Sequence, residues 1–463
     1  MGSTGRLNRR RFLQISAGTA GAMLLGFHLP PGGRLARADQ QAPYINAWLR
    51  IAQDNSVTIL VSSSEMGQGV YTAMPMLVAE ELEVDWQRVQ AEMAPAGPDY
   101  NNRFFGFQGT GGSTSIRQGF DHLRQAGAAA REMLRQAAAD RWNIALERCV
   151  AADGHISDSE SGRRLSYGEL AAEAAELEPP TDIALKPPGQ WKLIGRPLPR
   201  LDTETKTRGQ AGFGIDVRLP DLRVATLAIC PVFGGSLKSV DPAPAMAVPG
   251  VIAVVPMDDA VSVVADGYWN ARKGLQALAP VWDEGAMATA DDASILERHV
   301  NALEGTLPLA EAQGDAPAVL AAAGKRIEAE YSAPFLAHAT MEPMNATARI
   351  HPDGAEIWAP TQAQGPTQQG VAEMLGVEPG KVAVHTTFLG GGFGRRFEFD
   401  FVRYAVLTAQ ASGHTVKLIW PREEDIRHDF YRPRSLVRFS ASLDESGLPH
   451  AIHARAASAS IMQ

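Results

Sequence analysis

The chain has 463 residues, of which 45% are hydrophobic and 21% are charged, and its formal net charge at pH 7 is −9. A chain of this length and composition can bury two or three hydrophobic cores, which predicts a globular multidomain protein. The first 38 residues contain six arginines and no acidic residue, so the remainder has a net charge of −15, which argues against nucleic acid as a partner.

The N-terminal 38 residues have the pattern of a twin-arginine export signal. The run NRRRFLQ at residues 8–14 precedes a weakly apolar stretch at residues 15–29, and small residues at positions 36–38 offer a cleavage site. An amphipathic helix or a membrane anchor is the alternative, but a span needs about 20 predominantly apolar residues and this stretch is shorter. We expect the protein to be exported, already folded, to the periplasm.

Three glycine-containing loops each lead into a predicted helix. We name them loop A (residues 65–69, EMGQG), loop B (residues 109–115, GTGGSTS) and loop C (residues 390–396, GGGFGRR). Strand patterns precede loops A and C, and helix patterns follow all three. The predicted strands are residues 56–62 and 382–389, and the predicted helices are residues 72–82, 116–142 and 400–410.

Loops of this kind can form an anion cradle. Glycine lets backbone N–H groups approach a phosphate closely, and a helix N-terminus adds roughly half a positive charge. For each loop alone, a glycine-rich turn that binds nothing is the alternative. A dinucleotide-binding turn is a weaker alternative for loop C, because the position about 20 residues further on, where an acid is needed, falls at residues 412–413 (Ser-Gly). Three such loops favour one extended, polar, anionic ligand.

At loops A, B and C, and at the sequence APTQ of residues 359–362, the chain resembles the molybdenum-binding subunit of the xanthine oxidase family. The resemblance covers most of the chain after residue 50. Loop A comes first here, whereas the matching element is late in xanthine dehydrogenases, and Arg395 and Arg396 replace their usual Gly-Lys. In these respects the chain is similar to the isoquinoline 1-oxidoreductase beta subunit and periplasmic aldehyde dehydrogenase branch, so xanthine is not the expected substrate.

The resemblance implies the mixed α/β (α+β), multidomain fold of molybdenum-hydroxylase large subunits, with an inserted α/β hammerhead domain. A proline-rich stretch marks a linker, and short strands between Gly and Pro turns follow it. The predicted organisation is a signal at residues 1–38, an N-terminal molybdopterin-binding domain at 39–178, a linker at 179–208, the hammerhead domain at 209–285, and the rest of the molybdopterin-binding domain, incomplete at its C-terminus, at 286–463.

The same resemblance assigns roles to residues of the loops. It implies that Met66, Gly67 and Gln68 contact the pterin. It implies that Gly112, Ser113 and Ser115 hold the phosphate arm of the pterin, and that Gly392, Phe393 and Gly394 lie near the metal. A glutamine amide offers a donor and an acceptor to a pterin edge, and glycine permits close approach. Gln362 resembles a glutamine whose amide reaches an oxygen ligand of molybdenum, and we group it with Phe393 as catalytic.

Two of these assignments have open alternatives. For Gln362, a loop or helix-cap glutamine is the alternative. Arg395 is counted among the cofactor contacts, but Arg395 and Arg396 can instead pair with an acid such as Glu398 or Asp400.

The implied cofactor is a molybdenum–molybdopterin, in the cytosine dinucleotide form, whose metal is held by the pterin and not by protein side chains. A histidine and a glutamate at positions 338 and 342 are not expected to bind a metal, because Pro343 interrupts a helical face. Cys149 and Cys230 are the only cysteines, so this chain cannot ligate an iron–sulfur cluster by itself. The implied partners are a separate [2Fe–2S] small subunit and a cytochrome or quinone acceptor.

The implied reaction is oxidative hydroxylation of a small N-heterocycle or aldehyde, with a glutamate as general base. That glutamate is expected beyond residue 463, so we expect the sequence to be a fragment that is inactive alone. Two other readings stay open. The chain can be a non-catalytic cofactor-binding protein, or an exported α/β module whose loops hold another anion or none.

Overall fold

The computed structural model describes residues 47–180 and 183–460, together with the backbone of residues 23–26. Eleven helices in this part of the chain are α1 Val70–Leu82, α2 Ser115–Trp142, α3 Tyr167–Ala174, α4 Thr203–Thr207, α5 Ala243–Met246, α6 Tyr268–Ala277, α7 Asp292–Glu304, α8 Ala316–Ala322, α9 Gln364–Leu375, α10 Asp400–Ser412 and α11 Arg422–Arg427. None of them, among the residues described, has the length and apolar character of a transmembrane span.

The described strands are β1 Met23–Gly26, β2 Ala47–Ile51, β3 Val57–Val61, β4 Val89–Met93, β5 Cys149–Ala152, β6 His155–Asp158, β7 Arg164–Ser166, β8 Arg223–Ile229, β9 Ser236–Ser239, β10 Val251–Pro256, β11 Ala260–Ala265, β12 Val281–Asp283, β13 Ile327–Ala333, β14 Asn345–His351, β15 Gly354–Ala359, β16 Val382–Thr386, β17 Val416–Ile419, β18 Ser435–Leu443 and β19 Pro449–Ser458. Mixed helices and strands agree with the predicted fold class.

Contacts divide the chain into two compact units, each discontinuous in sequence. The first contains the residues up to Ala225, Val264–Tyr268 and Thr340–Ile419, and the second contains Thr226–Val263, Trp269–Ala339 and the residues from Trp420. Loops A, B and C all lie in the first unit. The division of the sequence into five segments stays a prediction.

The N-terminal part of the first unit is a four-stranded sheet in the order β1-β2-β3-β4; α1 packs on β3 and β4, and α2 packs on α1. All five residues of β3 are buried, as its apolar composition requires. The two helices approach closely, since a Cβ on Gly127 would lie 2.2 Å from the carbonyl oxygen of Val78. β3 and β4 are parallel, so loop A, which joins β3 to α1, lies at the carboxyl edge of the sheet.

β1 falls within the stretch predicted to be an export signal, and its backbone pairs antiparallel with β2. The twin-arginine run and the cleavage positions lie outside the described residues. The export prediction stays a prediction.

A second sheet of the first unit contains β17, β14, β15 and β16 in that order. β15 and β16 are parallel and are connected through α9. Parallel neighbours bring their carboxyl ends to one edge, so the segment after β15, with Thr361 and Gln362, lies beside loop C, which follows β16. The predicted strand at residues 382–389 ends early, because Phe388 and Leu389 donate their amides to Gly212 and Glu65 instead of to the sheet.

The second unit has two apolar clusters. The strands β10, β11 and β8, adjacent in that order, occur where short strands were predicted, and α6 packs on them so closely that a Cβ on Gly274 would lie 2.8 Å from Val251. Farther along the chain, β13, β18 and β19 form a three-stranded sheet. Leu303 of α7 packs with Leu436 and Ala457 of that sheet.

The predicted linker at residues 179–208 is fixed to α1 where the structure describes it. The buried carboxylate of Glu80 accepts hydrogen bonds from the successive amides of Lys192, Leu193 and Ile194, at 2.7–3.1 Å, and pairs with the Lys186 ammonium. Burial acts to raise the pKa of Glu80, but these donors outweigh it and lower the pKa. The segment is therefore part of the packed first unit.

Candidate functional site

Loops A and C meet the segment after β15 at Gly392. A Cβ on this buried residue would lie 2.5 Å from the Met66 sulfur and 2.7 Å from the Gln362 Oε1. Both distances are shorter than real Cβ contacts, so only glycine fits between the two side chains. Gly394 also donates its amide to Gln362 Oε1 at 3.0 Å. Three predicted site residues from distant parts of the sequence are thus in direct contact.

Gln362 also holds loop B. The side-chain Nε2 of Gln362 donates to the Thr110 carbonyl at 2.9 Å, and the backbone carbonyl of Gln362 accepts the Thr110 amide at 2.7 Å. The side chain is 3% exposed. One N–H and one oxygen lone pair of the amide are therefore used within the protein, and the second N–H is the group left for a ligand. The predicted contact to an oxygen ligand stays a prediction.

Glu65 determines the shape of loop A. Its fully buried carboxylate accepts the amides of Gly67, Gly69 and Tyr71 at 2.8–3.1 Å. Gly67 and Gly69 have φ angles of 110° and 92°, which L side chains rarely adopt. The Gln68 side chain folds back on the loop, accepting the Met66 amide and donating to the backbone just before Glu65. The side-chain amide of Gln68 was predicted to face a pterin, and these two contacts bind it to the backbone of Met66 and Ser64.

Two cations and a second acid surround Glu65. Arg200 donates to Glu65 at 2.9 Å and the Lys206 ammonium lies 3.6 Å away, while both cations also bind Asp202. Burial acts to raise the pKa of Asp202, but the hydrogen bonds from Arg200 and Lys206 outweigh it and lower the pKa to about 2. The hydrogen bond to Asp202, together with the negative charges of Asp202 and Glu65, raises the pKa of Arg200.

The threonines of loop B are hydrogen-bonded within the protein, whereas Gly112 and Ser113 of the same loop are exposed. Thr110 accepts the Ser64 amide at 2.8 Å, and Thr114 donates to the Gly111 carbonyl at 2.8 Å. Gly112 and Ser113 are exposed and have φ angles of 57° and 53°. Within residues 47–180 and 183–460, their amides donate to no other group. They precede Ser115, the first residue of the 28-residue helix α2.

The two arginines of loop C are buried in ion pairs. Arg395 donates to both carboxylate oxygens of Asp400, at 2.9 and 2.7 Å, and is 1% exposed. Arg396 donates to the Glu342 carbonyl at 2.6 Å and lies 3.3 Å from its carboxylate. Pairing with an acid, one of the alternatives drawn from the sequence, forms at both arginines. The ligand contact predicted for Arg395 stays a prediction.

Glu342 positions loop C, a role that the sequence did not indicate. Its buried carboxylate accepts the amides of Gly390 at 2.8 Å and Ile215 at 3.0 Å, which fixes the start of loop C. The sequence marked Glu342 only as a neighbour of His338, which in fact contacts Asp429. Among the described residues, no group of three His, Cys, Asp or Glu side chains is arranged to hold a metal ion.

The residues present fit a pterin with a phosphate arm. In the described part of the chain, the amides of Gly392 and Phe393 donate to no other group, as do those of Gly112 and Ser113. Phe393 has a φ angle of 58° and is 72% exposed at the surface of loop C. Backbone donors held by buried side chains suit the oxygen- and nitrogen-rich edge of a pterin and its phosphate.

Comparison with known proteins agrees with this geometry. Two family models, both described as molybdopterin cofactor-binding domain, match residues 17–217 and residues 299–460. The chain is 33% identical to the isoquinoline 1-oxidoreductase subunit beta of Brevundimonas diminuta, over 96% of this chain and 63% of that protein. It is 31% identical to a membrane-bound aldehyde dehydrogenase of Gluconacetobacter polyoxogenes, over 96% of this chain and 60% of that protein.

A solved structure, the aldehyde oxidoreductase of Desulfovibrio desulfuricans, overlaps 73% of this chain and 42% of its own with a TM-score of 0.45 and 19% identity. The chain spans a little over three fifths of the length of the two curated relatives. The two domain matches cover loops A, B and C, and the identity extends over nearly the whole chain. The chain belongs to the xanthine oxidase family, to the part of it that is built from molybdopterin cofactor-binding domains.

Proposed function

We propose that the chain is the molybdopterin-binding catalytic part of an oxidoreductase that hydroxylates an isoquinoline-like N-heterocycle or oxidises an aldehyde. The observation that carries the proposal is the contact of Gly392 with both Met66 and Gln362, which joins loops A and C at a glycine cradle. The printed names of the two relatives, an isoquinoline oxidoreductase subunit and an aldehyde dehydrogenase, support these two substrate classes.

The chain's own residues bind and orient the cofactor. The unused amides of Gly392 and Phe393 act as donors at loop C, and those of Gly112 and Ser113 receive the phosphate arm at the N-terminus of α2. Gln362 keeps loops B and C at a fixed separation and has a second N–H for a ligand. When bound, a molybdenum–pterin cofactor supplies two-electron oxidation together with oxygen transfer to an electron-poor carbon.

We further propose the cytosine dinucleotide form of molybdopterin. Two exposed residues in left-handed conformation before a long helix form a site for negative charge, which suits a phosphate-rich ligand. Mass spectrometry of the nucleotide released by mild acid from the purified protein tests this form. Release of molybdopterin without a cytidine nucleotide would reject it.

The proposed electron partner is a separate [2Fe–2S] small subunit, which passes electrons to a cytochrome or quinone. Cys149 and Cys230 are both buried, and two cysteines are too few for a four-cysteine cluster. Co-purification of an iron-containing small subunit with a tagged chain from its native cells is the expected result. A purified protein that contains no iron and still reduces an added quinone or cytochrome would contradict the proposed iron–sulfur partner.

Export to the periplasm by the twin-arginine route is the proposed localisation. The run of arginines at residues 9–11 and the small residues at 36–38 support it. Replacing Arg9 and Arg10 with lysine should retain the protein in the cytoplasm, as seen by fractionation. A variant exported as well as the wild type would reject the route.

Metal and pterin analysis tests the central proposal. The full chain is produced in cells with working molybdenum-cofactor synthesis, and in a matched strain that lacks this synthesis as the control. We expect about one molybdenum atom and one oxidised pterin fluorophore per chain from the first strain and neither from the second. Absence of both from the first strain would leave an exported module that binds another anion, and would sink the proposal.

A further inference from the structure

Arg200 links loop A to a segment that carries no glycine loop and no recognised motif. We propose that Arg200 is a positioning residue that holds loop A in its ligand-binding conformation. The inference rests on the proposed function, because it concerns the loop assigned to the pterin. Arg200 lies in the stretch predicted to be a linker, where nothing local in the sequence marks it.

The guanidinium of Arg200 binds loop A at two points. Its Nη1 donates to the Gly67 carbonyl at 2.8 Å, and its Nη2 donates to the Glu65 carboxylate at 2.9 Å. The two acceptors belong to adjacent parts of a loop whose glycines are in left-handed conformations. A planar fork of donors can satisfy both at once, which a lysine ammonium on a flexible stem cannot do with the same geometry.

The guanidinium itself is fixed from its other side. Asp202 accepts from Arg200 Nε at 2.9 Å and from Nη2 at 2.7 Å, and it also binds Lys206. Glu65 is fully buried, so its charge needs a nearby cation. Arg200 supplies that cation at hydrogen-bond distance, while Lys206 is farther, at 3.6 Å. Asp202 therefore holds the guanidinium of Arg200 in the position from which it binds loop A.

The same segment also contacts the approach to loop C. The Lys206 ammonium lies 4.9 Å from the ring centre of Phe388, whose amide donates to the Gly212 carbonyl at 3.1 Å. The next residue, Leu389, donates its amide to the Glu65 carbonyl at 3.1 Å. Residues 200–212 thus contact loop A and Phe388, which lies two residues before loop C. Loss of Arg200 would change the position of loop A against loop C.

The test compares Arg200→Gln and Arg200→Lys with Arg208→Gln in the full chain. Arg208 is the matched control, because it lies in the same segment and, among the residues that the structure describes, its guanidinium forms an ion pair only with the exposed Glu204, at 3.0 Å. Hydrogen–deuterium exchange is measured on ligand-free protein, and the rate of pterin release is measured by fluorescence on protein from cofactor-producing cells. For Arg200→Gln we expect about tenfold faster exchange at residues 66–71 and about tenfold faster release.

Arg200→Lys should fall between the wild type and Arg200→Gln, because it keeps the charge at Glu65 but loses the bond to Gly67. Arg208→Gln should behave as the wild type. Unchanged exchange and release in Arg200→Gln would overturn the inference. So would faster exchange spread equally over α2, because that indicates general loss of structure. If Arg200→Gln does not fold, Arg200→Lys decides by the same two criteria.

Failure of the proposed function gives a different result. Wild-type chain without molybdenum or pterin, from cells that make the cofactor, contradicts the proposed function. The exchange of loop A in ligand-free protein then decides the inference alone. Faster exchange confined to residues 66–71 supports Arg200 as the residue that holds the loop, and unchanged exchange rejects it.

Discussion

Gly392 and Met66, from opposite ends of the sequence, are so close that a Cβ on the glycine would lie 2.5 Å from the methionine sulfur. On its other side, the same Cβ would lie 2.7 Å from Gln362 Oε1, which is fixed by the Gly394 amide. A thioether is flexible and can move, but an oxygen held by a backbone amide cannot move without losing a partly buried hydrogen bond. The junction of the loops therefore depends on the absence of a side chain at position 392.

We predict that Gly392→Ala lowers the free energy of unfolding by about 1–3 kcal/mol, as is usual for overpacking a buried site. Urea unfolding of the full chain measures the change. Met66→Ala combined with Gly392→Ala should recover only part of the loss, because the clash with Gln362 persists.

Gly189→Ala is the control for this substitution. Nothing lies within 4 Å of a Cβ there and the residue needs no left-handed conformation, so we expect a change within about 0.5 kcal/mol. Equal stability of Gly392→Ala and the wild type would show that the three segments do not pack as described.

A second prediction concerns the ion pair of Arg395 and Asp400. Arg395→Gln and Asp400→Asn should each destabilise the ligand-free protein by about 3–5 kcal/mol, because each removes one partner of a largely buried ion pair. The double variant should lose clearly less than the sum of the two, since the partners share one interaction.

The exposed pair of Arg208 and Glu204 provides the matched control, and its disruption should change stability by at most about 1 kcal/mol. If Arg395 instead served chiefly as a phosphate ligand, Arg395→Gln would leave the ligand-free protein as stable as the wild type and weaken only the loaded one.

The local features of the fold and site follow from the sequence. Glycine loops between a strand and a helix are short-range patterns, and α1, α2 and α10 begin within two residues of the predicted positions. The strands β10 and β11 lie within residues 209–285, where the sequence predicted short strands, because apolar runs between glycine and proline turns have few other ways to bury their side chains.

The residues that hold the loops together could not be predicted in this way. Arg200, Glu342 and Glu80 are charged residues whose partners lie far away in the sequence. A charged residue is most often on the surface. Only the folded chain shows that Glu80 and Glu342 are buried against backbone amides and that Arg200 pairs with two buried carboxylates. For the same reason a proline-rich stretch was interpreted as a linker, although three successive amides in it bind one buried carboxylate.

A third prediction follows for Glu80. Glu80→Gln keeps the shape but offers one acceptor oxygen where two bind Lys186 and residues 192–194, and it removes one of the two carboxylates that pair with Lys186, the other being Glu83 at 2.9 Å. We expect a loss of about 1–3 kcal/mol in unfolding free energy, because buried amides lose a charged acceptor. Limited proteolysis should also show faster cleavage at residues 186–194.

Glu204→Gln, at an exposed position of the neighbouring helix α4, should leave both measurements near the wild-type values. Resistance of Glu80→Gln to proteolysis at residues 186–194 would indicate that other contacts, and not this carboxylate, fix the segment.

A fourth prediction concerns pH and His122 of α2. Burial, as the larger cause, and the positive charge of Arg103 lower the pKa of His122 from 6.5 to about 4. The imidazole ring packs edge-on against Trp48, with 5.2 Å between the ring centres, and its Nδ1 lies 3.2 Å from the Arg103 guanidinium. The folded state therefore favours neutral His122, whereas the unfolded chain takes up a proton near its ordinary pKa.

The stabilisation from neutral His122 is complete above about pH 6.5 and is lost as the pH falls towards about 4, because the unfolded chain then binds a proton that the folded one does not. We expect this to remove up to about 3 kcal/mol of unfolding free energy. In His122→Gln, which cannot titrate, the difference from the wild type should shrink or change sign across the same window. Urea unfolding at half-unit steps from pH 7 to pH 4 measures it, and parallel curves for the two proteins would show that His122 does not contribute to the pH dependence.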